Sequence, residues 1–213
     1  METRRDNYVR VLDLKEVSKS NAPFKTIPAV QVIGEEYYTL LEVAPKDNVK
    51  LEVNERVYIG DEKRDKVDHI VRRITYNDLT NSAKNALIEV ISQIVINREK
   101  YFIQFMNTIS PLNVRMHSLE TFPGIGKKLT SEIINERNIK PFDDFKDLQK
   151  RVKSVGDISV HIAEKIVEEL KGESTHYFFI DSENRGNVAR EQTRTERGRR
   201  EGYGDRSGYR RNR

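Results

Sequence analysis

Residues 119–134 read LETFPGIGKKLTSEII, and this stretch decides the helical half of the fold. A short apolar segment leads into the turn PGIG at residues 123–126, and a helix with apolar residues on one face follows. Two glycines permit a tight turn with positive φ and let another backbone approach closely. The turn ends at a helix N-terminus, where unpaired N–H groups and the helix dipole favour a phosphate. We therefore expect an anion-binding turn at this point.

The turn, with Lys127 and Lys128 directly behind it, resembles a helix-hairpin-helix, a module that clamps one nucleic-acid backbone without reading bases. The resemblance implies that N–H groups of the turn meet a phosphate and that the two lysines neutralise it. A degenerate second copy follows around Gly156, with one glycine in place of two. Tandem copies build one compact five-helix unit, so Gly156 either contacts phosphate as well or serves packing alone. The N–H groups assigned to phosphate in the first copy are those of Gly124, Ile125 and Gly126.

Five short segments open the chain with β-branched and aromatic residues and with turn signals between them, which is typical of strands. They lie at residues 8–12, 29–33, 37–43, 56–59 and 69–74. Five strands in about 75 residues predict a small closed or nearly closed β-barrel of the OB type over residues 1–78. A two-layer open sheet capped by the following helix is the alternative. The candidates for base or backbone contact on this barrel are Tyr37, Tyr38, Arg56 and Tyr58.

After residue 78 the hydrophobic period changes to that of a helix. Thr80 or Asn81 can cap a single helix of about 25 residues, which ends before a Ser-Pro pair. The predicted fold class is therefore α+β: a barrel, a long connecting helix and an all-α region. We assign residues 79–110 to the connecting helix, 111–172 to the tandem helix-hairpin-helix and 173–182 to an aromatic docking segment.

The last 31 residues, 183–213, form an Arg- and Gly-rich tail. They hold ten Arg, no Lys and only four apolar side chains, so they cannot bury enough surface to order themselves, and we expect disorder. Guanidinium groups bind phosphates bidentately and stack on bases, which predicts nucleic-acid contact. A solubilising, nonspecific tail is the alternative. The arginines assigned to nucleic acid are Arg194, Arg197, Arg199, Arg200, Arg210 and Arg211.

The net charge of +4 arises in this tail, which carries +5, while the rest of the chain is near neutral at −1. A near-neutral body with a cationic arm is expected of a protein that seeks a polyanion. The chain has no Cys and its four His are scattered, so we expect no metal and no cofactor. No stretch approaches 18 apolar residues, which predicts a cytoplasmic protein without a membrane partner. The many Glu, Lys and Arg and the absence of Cys are also typical of a thermophile.

From residue 8 to about 180 the chain resembles an archaeal protein family of unknown function that joins an OB-like barrel to a tandem helix-hairpin-helix. The resemblance is carried by NERVYIG at residues 54–60, LETFPGIGKK at 119–128 and the pattern RV…AEKIVEEL within 151–170. It implies RNA binding, with ribosomal components among the partners, and it brings no catalytic residues.

An enzyme is a competing interpretation, because helix-hairpin-helix modules also accompany nucleases. Glu62, Asp65 and Asp68 lie in the charged run DEKRDKVD, which has the spacing of a metal-dependent nuclease signature with its two bases exchanged. The run is more typical of a solvated turn between two strands, so we predict no enzymatic activity. The expected function is non-catalytic nucleic-acid binding, with RNA favoured over DNA. The alternatives are a protein-interaction adaptor on a ribosomal or transcription assembly, and a DNA-repair or DNA-binding accessory protein with nuclease activity.

Overall fold

The computed structural model describes residues 5–19 and 22–181 as a mixed α+β protein. An antiparallel sheet of five strands, curled into a half-barrel, comes first, and five α-helices follow. The strands are β1 (Tyr8–Lys19), β2 (Ala22–Gly34), β3 (Leu40–Pro45), β4 (Arg56–Tyr58) and β5 (Val67–Arg73). The helices are α1 (Asn81–Asn97), α2 (Glu99–Thr108), α3 (Lys127–Ile139), α4 (Phe145–Arg151) and α5 (Ile158–Lys171). A small hairpin of β6 (Pro111–Asn113) and β7 (Met116–His117) lies between α2 and α3.

The sheet has the strand order β4-β1-β2-β3-β5, and every neighbouring pair is antiparallel. Within the described residues β4 and β5 form the two edges and do not pair with each other. The sheet is thus a half-barrel rather than the closed or nearly closed barrel that the sequence predicts. β4 has three residues, and each of them pairs with β1. Each predicted strand has a counterpart, and β1 and β2 extend well beyond the predicted segments.

The inner side of the half-barrel is filled by small branched side chains that alternate along the strands. Val9 and Val11 of β1 and Val30 and Val32 of β2 are fully buried there. Leu51, in the loop between β3 and β4, completes this sheet core. The β-branched residues that predicted these strands are therefore the ones that hold them together.

Asp6, just before β1, fixes the turn that joins β2 to β3. One carboxylate oxygen, Oδ1, accepts hydrogen bonds from the backbone N–H groups of Glu36 (2.8 Å) and Tyr37 (3.0 Å). The other, Oδ2, lies against Gly34, where an added Cβ would come within 2.0 Å of it. A residue with a side chain does not fit at position 34, because the Asp6 carboxylate occupies the space that its Cβ would need.

Where the sequence predicts one connecting helix, the structure has two, α1 and α2, separated at Arg98. The predicted cap is confirmed, since the Thr80 side chain accepts a hydrogen bond from the third N–H of α1. At Arg98 the backbone leaves the helical conformation (φ −109°, ψ 28°). The Arg98 guanidinium donates to the carbonyl oxygens of Glu35 (2.7 Å) and Glu36 (3.3 Å). The residue at the break thus contacts the β2–β3 turn.

One main core runs from the sheet through all five helices. It contains Leu12 and Ile33 of the sheet, Ile91 of α1, Phe102 of α2 and Ile162 of α5. The last helix, α5, packs along α1. The boundaries placed at residues 78/79 and 110/111 run through this core, so α1 is a central element of the fold rather than a connection.

Residues 173–181 pack against the helices through aromatic rings. Phe178 stacks on Phe122, with ring centroids 5.8 Å apart and planes at 28°. Phe179 lies 5.7 Å from Phe102, again between ring centroids. The segment has no strand, and it covers the main core as an irregular plug.

Two buried charged side chains of α5 hold this plug. The carboxylate of Glu169, which is 1% exposed, accepts hydrogen bonds from the N–H groups of residues 178–180 at 2.8 to 3.0 Å. Lys165, also 1% exposed, donates to Ser174 Oγ (2.7 Å) and to Glu168 (3.3 Å). Burial raises the pKa of Glu169, and the three N–H donors and Lys165 oppose that shift only in part.

Candidate functional site

The first turn, residues 123–126, joins a short 3-10 helix (Ser118–Thr121) to α3. Gly124 has a φ of 78°, in the left-handed region that favours glycine. Ile125 is 2% exposed and anchors the turn in the main core. Its N–H donates to the carbonyl oxygen of Phe122 (3.0 Å). The prediction that Ile125 presents its N–H to a phosphate is therefore wrong, because the turn itself uses that group.

His161 of α5 fastens the first turn to the second turn, residues 155–157. Its Nδ1 lies 2.9 Å from the carbonyl oxygen of Pro123, and its Nε2 lies 2.8 Å from that of Val155. The imidazole also lies against Gly124, where an added Cβ would meet Cε1 at 2.5 Å. Sequence reasoning missed His161, because no local pattern links it to a turn 38 residues earlier.

Gly126 is the N-cap of α3 and, unlike Gly124, has no structural need to be glycine. Its backbone is extended (φ −87°, ψ 179°), which any residue can adopt, and no atom lies within 4 Å of where its Cβ would be. No side chain in the described part of the chain caps α3. The first N–H groups of the helix therefore lie at an open end, beside the exposed Lys127 and Lys128.

The second turn leads into α5 and is closed by its own side chain. Gly156 has a φ of 64° and a ψ of −136°, a conformation that few residues other than glycine adopt. Asp157 caps α5, because its Oδ1 accepts hydrogen bonds from the N–H (2.9 Å) and the hydroxyl (2.7 Å) of Ser159. A carboxylate at a helix N-terminus takes the place that an external anion would occupy. The two turns thus differ: the end of α3 is open and the end of α5 is capped.

Tyr38, one of the four barrel candidates, belongs to the main core. Its side chain is 2% exposed, and its φ is 54°, a value unusual for a tyrosine. Burial raises the pKa of its hydroxyl. The prediction that Tyr38 contacts a base is therefore wrong, while its neighbour Tyr37 is half-buried.

Arg56 and Tyr58 lie together on β4, and Tyr8 of β1 joins them. Tyr8 faces Tyr58 across the strands, with ring centroids 5.2 Å apart. Arg56 Cζ lies 3.5 Å from the centroid of the Tyr8 ring, and Arg56 Nε lies 2.8 Å from a carboxylate oxygen of Glu35. Sequence reasoning missed Tyr8, although strand alternation with the buried Val9 places it on the outer face.

The remaining candidates are a charged loop and the tail. Glu62, Asp65 and Asp68 are exposed, and Asp68 pairs with His69 (2.8 Å). Among residues 5–19 and 22–181 no group of three or more His, Cys, Asp and Glu is placed to hold a metal ion. No helix in the same part of the chain is both long and apolar enough to cross a membrane. The tail arginines Arg194, Arg197, Arg199, Arg200, Arg210 and Arg211 lie outside the described residues.

These features define a mixed α+β protein in which a half-barrel sheet and a helical region share one core. Residues 5–181 match the model of a family described as protein of unknown function (DUF655), and the chain belongs to that family. It is similar to the uncharacterized protein MJ0038 of Methanocaldococcus jannaschii, with 40% identity over 176 residues, 82% of this chain and 79% of the relative. It is also similar to the crystal structure of Af1531 from Archaeoglobus fulgidus, with a TM-score of 0.75 and 38% identity over 83% of this chain and 100% of that one. The expected resemblance to an archaeal family of unknown function is confirmed.

Proposed function

We propose that this protein binds RNA without catalysing a reaction, and that it grips a backbone phosphate at the open N-terminus of α3. In this proposal the first turn is a working helix-hairpin-helix, the second turn is its structural partner, and the half-barrel is an opened sheet of the OB type. The Arg-rich tail, residues 183–213, adds electrostatic attraction. The observation that carries the proposal is the contrast between Gly126 and Asp157.

An N-cap residue normally supplies an oxygen to the first N–H groups of its helix, and Ser, Thr, Asp and Asn do this best. Thr80 does so for α1, Asp144 for α4 and Asp157 for α5. Gly126 does not, although its conformation and the space around it admit any of those residues. The open end suits an acceptor from outside the chain, and phosphate oxygens are the acceptors that helix N-termini take most readily.

Lys127 and Lys128 supply positive charge at the same end of α3. Both are exposed, and within the described residues neither forms a salt bridge. Contacts between lysines, backbone N–H groups and phosphate position a nucleic-acid strand but carry no sequence information. The proposed binding is therefore sensitive to salt and tolerant of sequence.

The test is to close the open helix end with a carboxylate. In Gly126→Asp the new side chain caps α3 and repels phosphate, so we expect the free energy of unfolding to rise by up to about 1 kcal/mol. We expect the affinity for a structured RNA, measured by fluorescence anisotropy at several salt concentrations, to fall at least tenfold. Stability and binding thus move in opposite directions, which a damaged fold does not produce.

Two control variants separate charge from position. Asn138→Asp adds the same charge at the exposed far end of α3 and should leave binding nearly unchanged. Gly126→Ala adds a Cβ in open space without a cap. Because Ala is a poorer N-cap residue than Gly, it should lower the stability by up to about 1 kcal/mol, and it should weaken binding less than Asp does. If folded Gly126→Asp binds RNA as tightly as the parent, the turn is structural and the proposal fails.

A further inference from the structure

Glu35, in the turn between β2 and β3, holds the guanidinium plane of Arg56 in a fixed orientation. One carboxylate oxygen of Glu35 accepts from Arg56 Nε at 2.8 Å, and the other accepts from Arg10 Nε at the same distance. Tyr8 covers one face of the Arg56 guanidinium. The Arg56 side chain is nevertheless 47% exposed, so its outer face and its terminal nitrogens remain accessible to a ligand.

Arg98 is fixed against the same turn. Its Nη1 donates to the carbonyl oxygens of Glu35 (2.7 Å) and Glu36 (3.3 Å), and its Cζ lies 4.7 Å from the centroid of the Tyr101 ring. Tyr101 is 49% exposed. Two arginines, each stacked on an exposed tyrosine, therefore flank Glu35.

Two grooves join these pairs into one surface. The first, of about 360 Å³, is lined by Tyr8, Arg56 and Tyr58. The second, of about 430 Å³, runs from Arg56 to Arg98 at the junction of α1 and α2. They share Arg56, so tyrosine and arginine planes follow one another from β4 to α2. We call this the Tyr-Arg surface: Tyr58, Tyr8, Arg56, Arg98 and Tyr101.

The chemistry of the Tyr-Arg surface favours stacking over charge attraction. Glu35 offsets both Arg10 and Arg56, and in the first groove the acidic Glu62 and Asp65 stand beside the basic Lys63 and Lys66. Charges of both signs therefore nearly cancel at this surface. Flat aromatic and guanidinium groups at a near-neutral surface suit unpaired nucleobases, whose faces stack on tyrosine and arginine. Paired bases within a duplex do not offer those faces. The planes are already held in position, which lowers the entropy cost of binding.

The Tyr-Arg surface lies within reach of the first turn. Tyr101 and Phe105 are one helical turn apart on α2, a rise of about 6 Å. The Phe105 ring centroid is 6.2 Å from that of Phe122, which directly precedes the first turn. Tyr101 and the first turn are therefore close in straight-line distance, and the inference places one short RNA strand across both.

We propose that the Tyr-Arg surface stacks the unpaired bases of a single-stranded RNA segment next to the phosphate held at α3. The inference rests on the proposed function for the class of ligand, RNA. It adds that the bound segment is single-stranded, and it names the residues that recognise the bases. Tyr8 and Tyr101 are the residues that test it most directly, because each exposes a ring and holds an arginine plane.

The experiment uses the full-length protein and two RNA 12-mers of equal charge, one of mixed sequence without secondary structure and one abasic. Tyr8→Leu and Tyr101→Leu should each weaken binding of the mixed-sequence RNA by about 5- to 150-fold, the worth of one base–aromatic stack. Binding of the abasic RNA should not change, because its phosphates meet the same lysines and arginines. Tyr76→Leu is the control, because the Tyr76 ring lies next to Lys84 and Lys171 rather than next to Arg56 or Arg98. Ultraviolet crosslinking of the parent to uridine-containing RNA should label Tyr8 or Tyr101.

The outcomes separate this inference from the proposed function. Gly126→Asp should weaken binding of both RNAs, whereas the tyrosine variants should weaken only the one with bases. If the parent binds both RNAs but the two tyrosine variants bind like the parent and no crosslink forms on the Tyr-Arg surface, this inference is overturned and the phosphate site stands. An equal loss on both RNAs also overturns it, because it shows a structural role for the tyrosines. If the parent binds the structured RNA but neither 12-mer, this inference is overturned and the proposed function stands. If the parent binds none of the three RNAs, the proposed function itself fails.

Discussion

Gly124 and Gly126 are one residue apart and have opposite reasons to be glycine. Gly124 is dictated by the fold, through a φ of 78° and the His161 ring packed against it. At position 126 neither the backbone conformation nor the surrounding space requires glycine. A residue that the fold does not require is a better indication of a ligand than one that it does, so the phosphate proposal depends on Gly126.

Gly124→Ala is expected to destabilise the protein by about 1–3 kcal/mol, because the new Cβ is strained at positive φ and meets the His161 ring. Chemical denaturation measures the loss. In a His161→Ala background the ring is absent, so Gly124→Ala should cost less than it does in the parent, by the part that is due to the clash. Equal losses in both backgrounds would show that the strained φ alone requires glycine.

The residues of the candidate site were only partly accessible from the sequence. The glycine and lysine pattern located the turn, since such turns are local in the chain. The two wrong predictions, at Ile125 and Tyr38, concern which way a group points. The sequence places each residue in a turn, but it does not say whether the N–H of Ile125 or the ring of Tyr38 faces the interior. His161 completes the first turn, and Arg98 completes the Tyr-Arg surface. Each side chain contacts a carbonyl oxygen far away in the sequence, which no local pattern encodes.

At the scale of elements, the break between α1 and α2 also lies at a contact between residues that are distant in the sequence. Apolar residues recur at helical intervals on both sides of the polar run at residues 97–100, so the period predicts one helix. The interruption falls at Arg98, whose guanidinium donates to two carbonyl groups of the β2–β3 turn. The same residue forms one half of the Tyr-Arg surface.

The link between α5 and the aromatic plug predicts a pH dependence. Because burial raises the pKa of Glu169 above its ordinary 4.5, the folded protein holds this proton more tightly than the unfolded chain. The stability that Glu169 contributes is therefore full below pH 4.5 and is lost as the pH rises through the folded value. The difference in unfolding free energy between the parent and Glu169→Gln should shrink from pH 4 to pH 7, as measured by denaturation at each pH. A difference that grows with pH would mean that the three N–H donors outweigh burial.

At the scale of the whole molecule, the main core unites regions that the sequence divides. Turn signals and the change from strand to helix periodicity placed borders near residues 78 and 110, because those signals report local structure. Residues on both sides of each border, such as Leu12, Ile91 and Ile162, meet in one core. The packing of α1 on β1, together with that of α5 on α1, joins the helical region to the sheet.

Two truncations test how the end of the chain relates to this body. Removal of residues 183–213 should leave the melting temperature nearly unchanged and lower the slope of log K against log salt for RNA by up to ~3.5, the yield of five net charges at about 0.7 counterions each. Removal of residues 176–213 also deletes most of the plug, which uncovers the main core and removes the three N–H donors of Glu169, so we expect the melting transition to be lost. An unchanged salt slope in the shorter deletion would show that the arginines do not meet RNA. An intact melting transition in the longer one would show that the plug is dispensable.

The contact between Asp6 and Gly34 has a consequence for the evolution of the family. Gly34 lies outside the left-handed region, so the Asp6 carboxylate is what excludes a larger residue there. The two positions are therefore expected to covary in an alignment of relatives: glycine at position 34 wherever position 6 is acidic, and a larger residue at 34 only in lineages that have lost the acid. In those lineages another group has to accept the hydrogen bonds from the N–H groups of Glu36 and Tyr37. That group should appear in the same lineages in which the acid at position 6 is lost.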